Sequence, residues 1–142
     1  MIEFPIKNPS NIRKTLEDKD FRHFAKQLAY HWSRWYGSSQ LTDDKSALFL
    51  DWAEVETALA SARFWNIISA SLAYDISTWL QESEFVDNVP TLVMEEYDQK
   101  YLVHDTYKDS VKYGVPPKYC YEQYFIYKEL CAAFGVEPIR ED

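Results

Sequence analysis

Residues 38–89, SSQLTDDKSALFLDWAEVETALASARFWNIISASLAYDISTWLQESEFVDNV, run for 52 positions with neither glycine nor proline. A β-protein of this size needs more turns than that, and turns draw on those two residues. Leu48, Trp52, Val55 and Leu59 recur at spacings of four, three and four, the period of one helix face. Phe64, Ile68, Leu72 (or Ser71), Ile76, Trp79 and Leu80 continue at helical spacing. Thr42 ahead of Asp43 and Asp44 marks a helix start, with acids at the positive end of the dipole. An unbroken helix from Asp43 to Ser83 would measure ~60 Å, too long for one small domain. A turn is therefore expected near Ser61–Phe64. The wide apolar face around Phe64–Leu72 predicts the most buried helix, and Trp52 and Ile68 are expected in the core.

Upstream, Phe21, Phe24, Leu28, Trp32 and Trp35 form an apolar stripe on a helix that starts at Asp18 or Asp20 and is expected to end at Gly37. His23, Lys26, Gln27, Tyr30 and Arg34 fall on its opposite face. Ser10 is a candidate N-cap for a short helical piece over Asn11–Glu17. Downstream, residues 91–107 read as a helix with Val93, Tyr97, Tyr101 and His104 on one side, or as a short hairpin turning at Asp98-Gln99. The absence of Gly or Asn at that turn favours the helix. Lys118–Phe134 is a helix opened by Pro116-Pro117 and closed by Gly135, with Cys120, Tyr124, Tyr127, Cys131 and Phe134 as its stripe. The expectation is an all-α protein: one domain over residues 1–142, an irregular bundle of five to six helices.

Composition excludes several functions. The chain has 142 residues and only 3 glycines, and it contains no glycine-rich loop that could cradle a phosphate. It carries 15 basic and 23 acidic residues, a net charge of −8. Direct binding to nucleic acid or to an anionic membrane needs the opposite sign. The charge is uneven: residues 37–110 hold 4 bases against 14 acids, behind an N-terminal segment with 7 bases and 4 acids. The longest strongly apolar run, Phe64–Tyr74, is too short to span a bilayer, and MIEFPIKNPSNIRK lacks a secretory apolar stretch. Cys120 and Cys131 would stand ~16 Å apart on one helix, out of disulfide range. Reduced thiols on an apolar stripe fit a cytoplasmic location and inert chemistry.

Motifs of catalysis are sparse. His23, His31 and His104 do not converge at helical spacing, and no HExxH or ExxH is present. His104-Asp105 resembles the centre of the all-helical HD phosphohydrolases. The further histidine and aspartate of that family are not found at matching spacing. Glu95-x-x-Asp98 resembles half of the paired carboxylate motif of helical nucleotide pyrophosphohydrolases, whose carboxylates hold Mg²⁺ against a diphosphate; the other half is missing. A small Mg- or Mn-dependent phosphohydrolase using Glu95/Asp98 or His104/Asp105 is thus the enzymatic alternative, and a structural or adaptor subunit a further one. The expectation is a chain that is not an enzyme and needs no metal or cofactor.

Acid beside aromatic rings is what stands out. Trp, Tyr and Phe make up 17% of the chain, and eight of its 11 tyrosines fall between Tyr97 and Tyr127. Tyr119 and Tyr121 cannot both lie on the 120-124-127 stripe, so some rings must reach the surface, where Tyr is a frequent interface anchor. Glu82, Glu84, Asp87, Glu95, Glu96, Tyr97, Asp98, Tyr101 and Asp105 are the expected partner-binding residues, with Glu95 and Asp98 expected exposed. Carboxylates grouped this way steer a basic partner into contact. The function expected is non-enzymatic: an inhibitor or immunity-type protein that neutralises a basic, nuclease-like protein, such as a toxin, by occluding its active or nucleic-acid-binding site.

Overall fold

The computed structural model describes residues 17–41, 45–64, 68–102 and 119–138. Among these, every regular element is helical: α1 (Asp18–Leu41), α2 (Lys45–Phe64), α3 (Ala70–Glu82), α4 (Thr91–Tyr97), a π-helical turn (Asp98–Leu102) and α5 (Cys120–Ala133). The all-α expectation holds. The hairpin alternative fails over 91–102, where α4 runs directly into the π-helical turn; residues 103–107 lie outside the described residues, as do Asn11–Leu16 and Thr42–Asp44.

The core is built on α1. Phe21, Phe24, Leu28 and Trp32 are buried as their spacing predicts, while His23, Lys26, Gln27, Tyr30 and Arg34 are exposed. Phe134 on α5 packs against Phe21 (5.3 Å between centroids) and Phe24 (5.8 Å), whereas Tyr119, just before α5, meets Tyr36 at 5.0 Å. The two helices therefore run antiparallel. On the other side, Trp35 meets Trp52 edge-on at 4.8 Å and the Ser38 hydroxyl donates to Asp51, joining α1 to α2 as a helical hairpin. Ser77 Oγ on α3 donates to Glu56 Oε1 on α2 at 3.0 Å. The segment after α3 is pinned by Phe85, buried against Trp32, Trp79 and Phe125.

Three boundaries depart from the sequence expectation. α1 continues through Gly37 to Leu41. Glycine inside a helix costs about 1 kcal/mol relative to alanine, and the Trp35–Trp52 and Ser38–Asp51 contacts outweigh that. The α2–α3 break comes after Phe64 rather than at Ser61–Phe64, and α3 begins where the Ser69 hydroxyl accepts the Leu72 amide at 3.2 Å, an N-cap hidden in an apolar run. Phe64–Leu72 thus holds the break between α2 and α3 rather than the middle of a buried helix. Ile68 is buried, but Trp52 is only half-buried, its indole nitrogen donating to Glu56 at 3.0 Å.

α5 ends as its glycine predicts. Gly135 has φ +68°, its amide donates to Ala132 O at 3.1 Å, and the Val136 amide donates to Cys131 O at 2.8 Å with Val136 buried beneath. This is the Schellman pattern, which favours glycine in the left-handed position. The two glycines should respond oppositely to alanine. Gly135→Ala is expected to destabilise by about 1 kcal/mol from backbone strain alone, since nothing lies within 4 Å of the added methyl. Gly37→Ala is expected to stabilise by about 0.5–1 kcal/mol, its methyl meeting only the Tyr119 ring at 3.9 Å. Urea denaturation midpoints check both signs.

Candidate partner-binding surface

The nine expected partner residues separate into two environments. Glu96, Tyr97 and Asp98 turn toward α5. Glu96 accepts from Lys128 and, at 2.9 Å, from the Tyr124 hydroxyl; Lys100 Nζ stands 3.9 Å from the same carboxylate and donates to Tyr124 Oη at 3.0 Å. Both lysines also lie over the Tyr124 ring, at 5.3 and 5.7 Å from its centroid. Asp98 Oδ1 accepts from the Tyr121 hydroxyl at 2.8 Å, and Tyr97 packs edge-on against Tyr121 and Tyr124 at 5.5 and 5.7 Å. This network fastens α4 and the π-helical turn to α5. Asp98 is therefore half-buried and engaged rather than exposed.

The network shifts Glu96 down and Tyr121 up. Burial raises the Glu96 carboxyl, but the Lys128 and Tyr124 hydrogen bonds and the two lysine charges outweigh it, so the net shift is downward. A depressed carboxylate contributes stability above its unfolded pKa and loses it as pH falls through the folded one. The Asp98 hydrogen bond, with burial second, pushes the Tyr121 phenol up.

Glu82, Glu84, Asp87 and Glu95 are exposed. Among the described residues, no cation pairs with any of them. Glu82 closes α3, at the negative end of the helix dipole. Asp87 sits in the left-handed region at φ 67°, in a tight turn where the Asn88 amide donates to Phe85 O at 3.1 Å. Glu95 shares the exposed side of α4 with Leu92. Tyr101 belongs to the π-helical turn, and Asp105 lies outside the described residues.

Glu84 and Asp87 share their surroundings with three residues that acid density along the chain did not single out for this surface: Tyr36, Tyr119 and Glu122. Burial, and then the fields of Tyr119, Asp87, Glu122 and Glu84, hold the Tyr36 phenol above its ordinary range. Three carboxylates from two parts of the chain thus bear on Tyr36, whose ring packs edge-on against Tyr119. The only sequence hints were Tyr36, one turn beyond Trp32, and an acid in the first turn of α5.

Glu122 is the strained member. Its Oε2 is buried without a hydrogen-bond partner. Burial first, and Asp87 less, raise its carboxyl above the usual range, against its own backbone amide. A carboxyl raised on folding destabilises the fold above its folded pKa, and the penalty is relieved as pH falls through that value. Glu122→Gln is therefore expected to be more stable than wild type at neutral pH, by up to about 1 kcal/mol, with the difference closing on acidification. Thermal midpoints at neutral and acid pH measure it.

Both cysteines are free, and burial pushes both thiols up, away from the reactive thiolate. Among the described residues no group of three or more His, Cys, Asp or Glu could hold a metal ion; His104 and Asp105 lie outside that set. No described helix is long and apolar enough to cross a membrane. No family model, curated protein or solved structure matches the chain.

Proposed function

We propose that the chain is a non-enzymatic, cytoplasmic, acidic protein-binding protein of the inhibitor or immunity type, which neutralises a basic, nuclease-like partner by covering its active or nucleic-acid-binding site. The observation that carries the proposal is the division among the carboxylates. Glu96 and Asp98 are consumed by internal hydrogen bonds, whereas Glu82, Glu84, Asp87 and Glu95 stand exposed with no described cation beside them. Glu84, Asp87 and Glu122 also bear together on Tyr36; like charges gathered there cost stability in the free protein, and a basic partner would relieve them. Tyr36 and Tyr119 add ring surface beside Glu84, Asp87 and Glu122. Carboxylates there would occupy positions where a nuclease binds phosphates.

Affinity capture tests this. The immobilised chain, exposed to a native extract at low ionic strength, is expected to retain a basic protein whose nuclease activity the chain suppresses. Retention of only neutral or acidic proteins, or of a nuclease whose activity is unchanged, would overturn the proposal.

A further inference from the structure

Residues 91–102 are attached to the molecule differently from the other helices. α4 has seven residues and buries none of them, whereas α1, α2, α3 and α5 each bury several. Helices shorter than about 12 residues are marginal on their own, so α4 owes its order to what it touches. Val93, Met94 and Tyr97 turn inward but stay half-buried, while Thr91, Leu92 and Glu95 are exposed. Pro90 stands in the cap position and gives the first turn no side-chain hydrogen bond. The chain just before it is fixed by Phe85 and Val89, both buried. Pro90 thus marks the border between a pinned segment and a lightly held one.

The attachment beyond that border is largely polar. Glu96, Asp98 and Lys100 reach one row of α5, made of Tyr121, Tyr124 and Lys128, through side-chain hydrogen bonds. The Tyr97 ring lies on the same two tyrosines. On opening, each bonded group exchanges its partner for water, so the clasp contributes far less than the burial of Phe21, Phe24 and Phe134 that holds α1 to α5. Few buried apolar contacts are the mark of a segment that opens below the free energy of global unfolding.

We infer that residues 91–102 form a strap, hinged at Pro90 and clasped to α5, which opens while α1, α2, α3 and α5 stay folded. Opening uncovers Tyr121, Tyr124 and Lys128, a face of rings and a cation that the closed strap covers; Tyr124 is otherwise buried. It also moves Glu95, on the strap's outer side, relative to Glu82, Glu84 and Asp87, which lie on the pinned side of Pro90. The strap therefore gates one face of α5 and sets the place of one exposed carboxylate. This inference stands apart from the function proposed above, since it rests on packing within the chain and its test needs no partner.

Native-state hydrogen exchange of the full chain, in water and in low urea, is that test. The hydrogen-bonded amides of residues 93–102 are expected to exchange about 100-fold faster, relative to their intrinsic rates, than the slowest amides of α1 and α5. Their exchange is expected to be nearly indifferent to urea, because the opening exposes little surface, whereas exchange in α1 and α5 rises steeply with urea. Glu96→Ala removes the shared acceptor, and Tyr124→Phe removes the hydroxyl while keeping the ring. Each is expected to quicken exchange over 93–102 by about ten-fold. If these amides match α5 in rate and in urea slope, the chain opens as one unit and the inference is wrong. If they are fast but unmoved by both variants, the clasp does not hold the segment and the inference fails equally.

Discussion

Trp32→Ala is expected to cost about 4–5 kcal/mol, a large share of the 5–15 kcal/mol typical of a domain. Trp32 is 1% exposed. Its ring stacks on Tyr36 at 5.2 Å and meets Phe85 edge-on at 5.2 Å. Its indole nitrogen donates to Leu80 O at 2.9 Å, one of the carbonyls that the end of α3 leaves without a helical partner. Truncation would open a cavity among α1, α3 and the Phe85 segment and leave a buried acceptor unpaired. Both costs act together, and neither can be relieved by collapse of one neighbour. Trp32→Phe keeps most of the ring and loses the hydrogen bond, and about 1–3 kcal/mol is expected. Urea denaturation orders the three proteins as wild type, Trp32→Phe, Trp32→Ala. Equal costs for the two variants would place the whole effect in the hydrogen bond and none in the packing.

The second large effect is on binding. The variant Glu82→Gln/Glu84→Gln/Asp87→Asn/Glu95→Gln removes four negative charges at exposed positions. Each substitution is expected to change stability by less than about 0.5 kcal/mol. Asparagine is chosen at position 87 because φ is 67° there, and Asn tolerates the left-handed region. Affinity for the captured basic partner is expected to fall about 100-fold, equivalent to about 2.7 kcal/mol. The contrast is Asp98→Ala, which removes the acceptor. Asp98 accepts the Tyr121 hydroxyl, so its loss is expected to lower stability rather than affinity. A four-site variant that binds as wild type does would show that these carboxylates only keep the protein soluble.

The elements of this fold were legible wherever one periodicity ran unopposed. The stripe Phe21-Phe24-Leu28-Trp32 located α1 and its buried face; Cys120-Tyr124-Tyr127-Cys131 located α5, but Cys120 is half-buried and Phe125, Ile126 and Leu130, off that stripe, are buried too. Boundaries were less legible because they depend on contacts from other helices. Gly37 reads as a stop, yet Trp52 and Asp51, both on α2, hold the chain helical beyond it. Ser69 caps α3 from within a run that reads as continuously apolar. The surface was half legible for a related reason. Acid density along the chain cannot distinguish Glu95, which faces solvent, from Glu96, which meets Lys128 and Tyr124 from about 30 positions away. Glu122 and Tyr36 join Glu84 and Asp87 only in three dimensions.

The association rate of the captured partner, followed against ionic strength for wild type and the four-site variant, tests the acidic surface most directly. Steered association is expected to slow by about ten-fold or more from low to high salt in the wild type, with most of that slope gone in the variant. A wild-type rate that is indifferent to salt would contradict a role for these carboxylates in recognition.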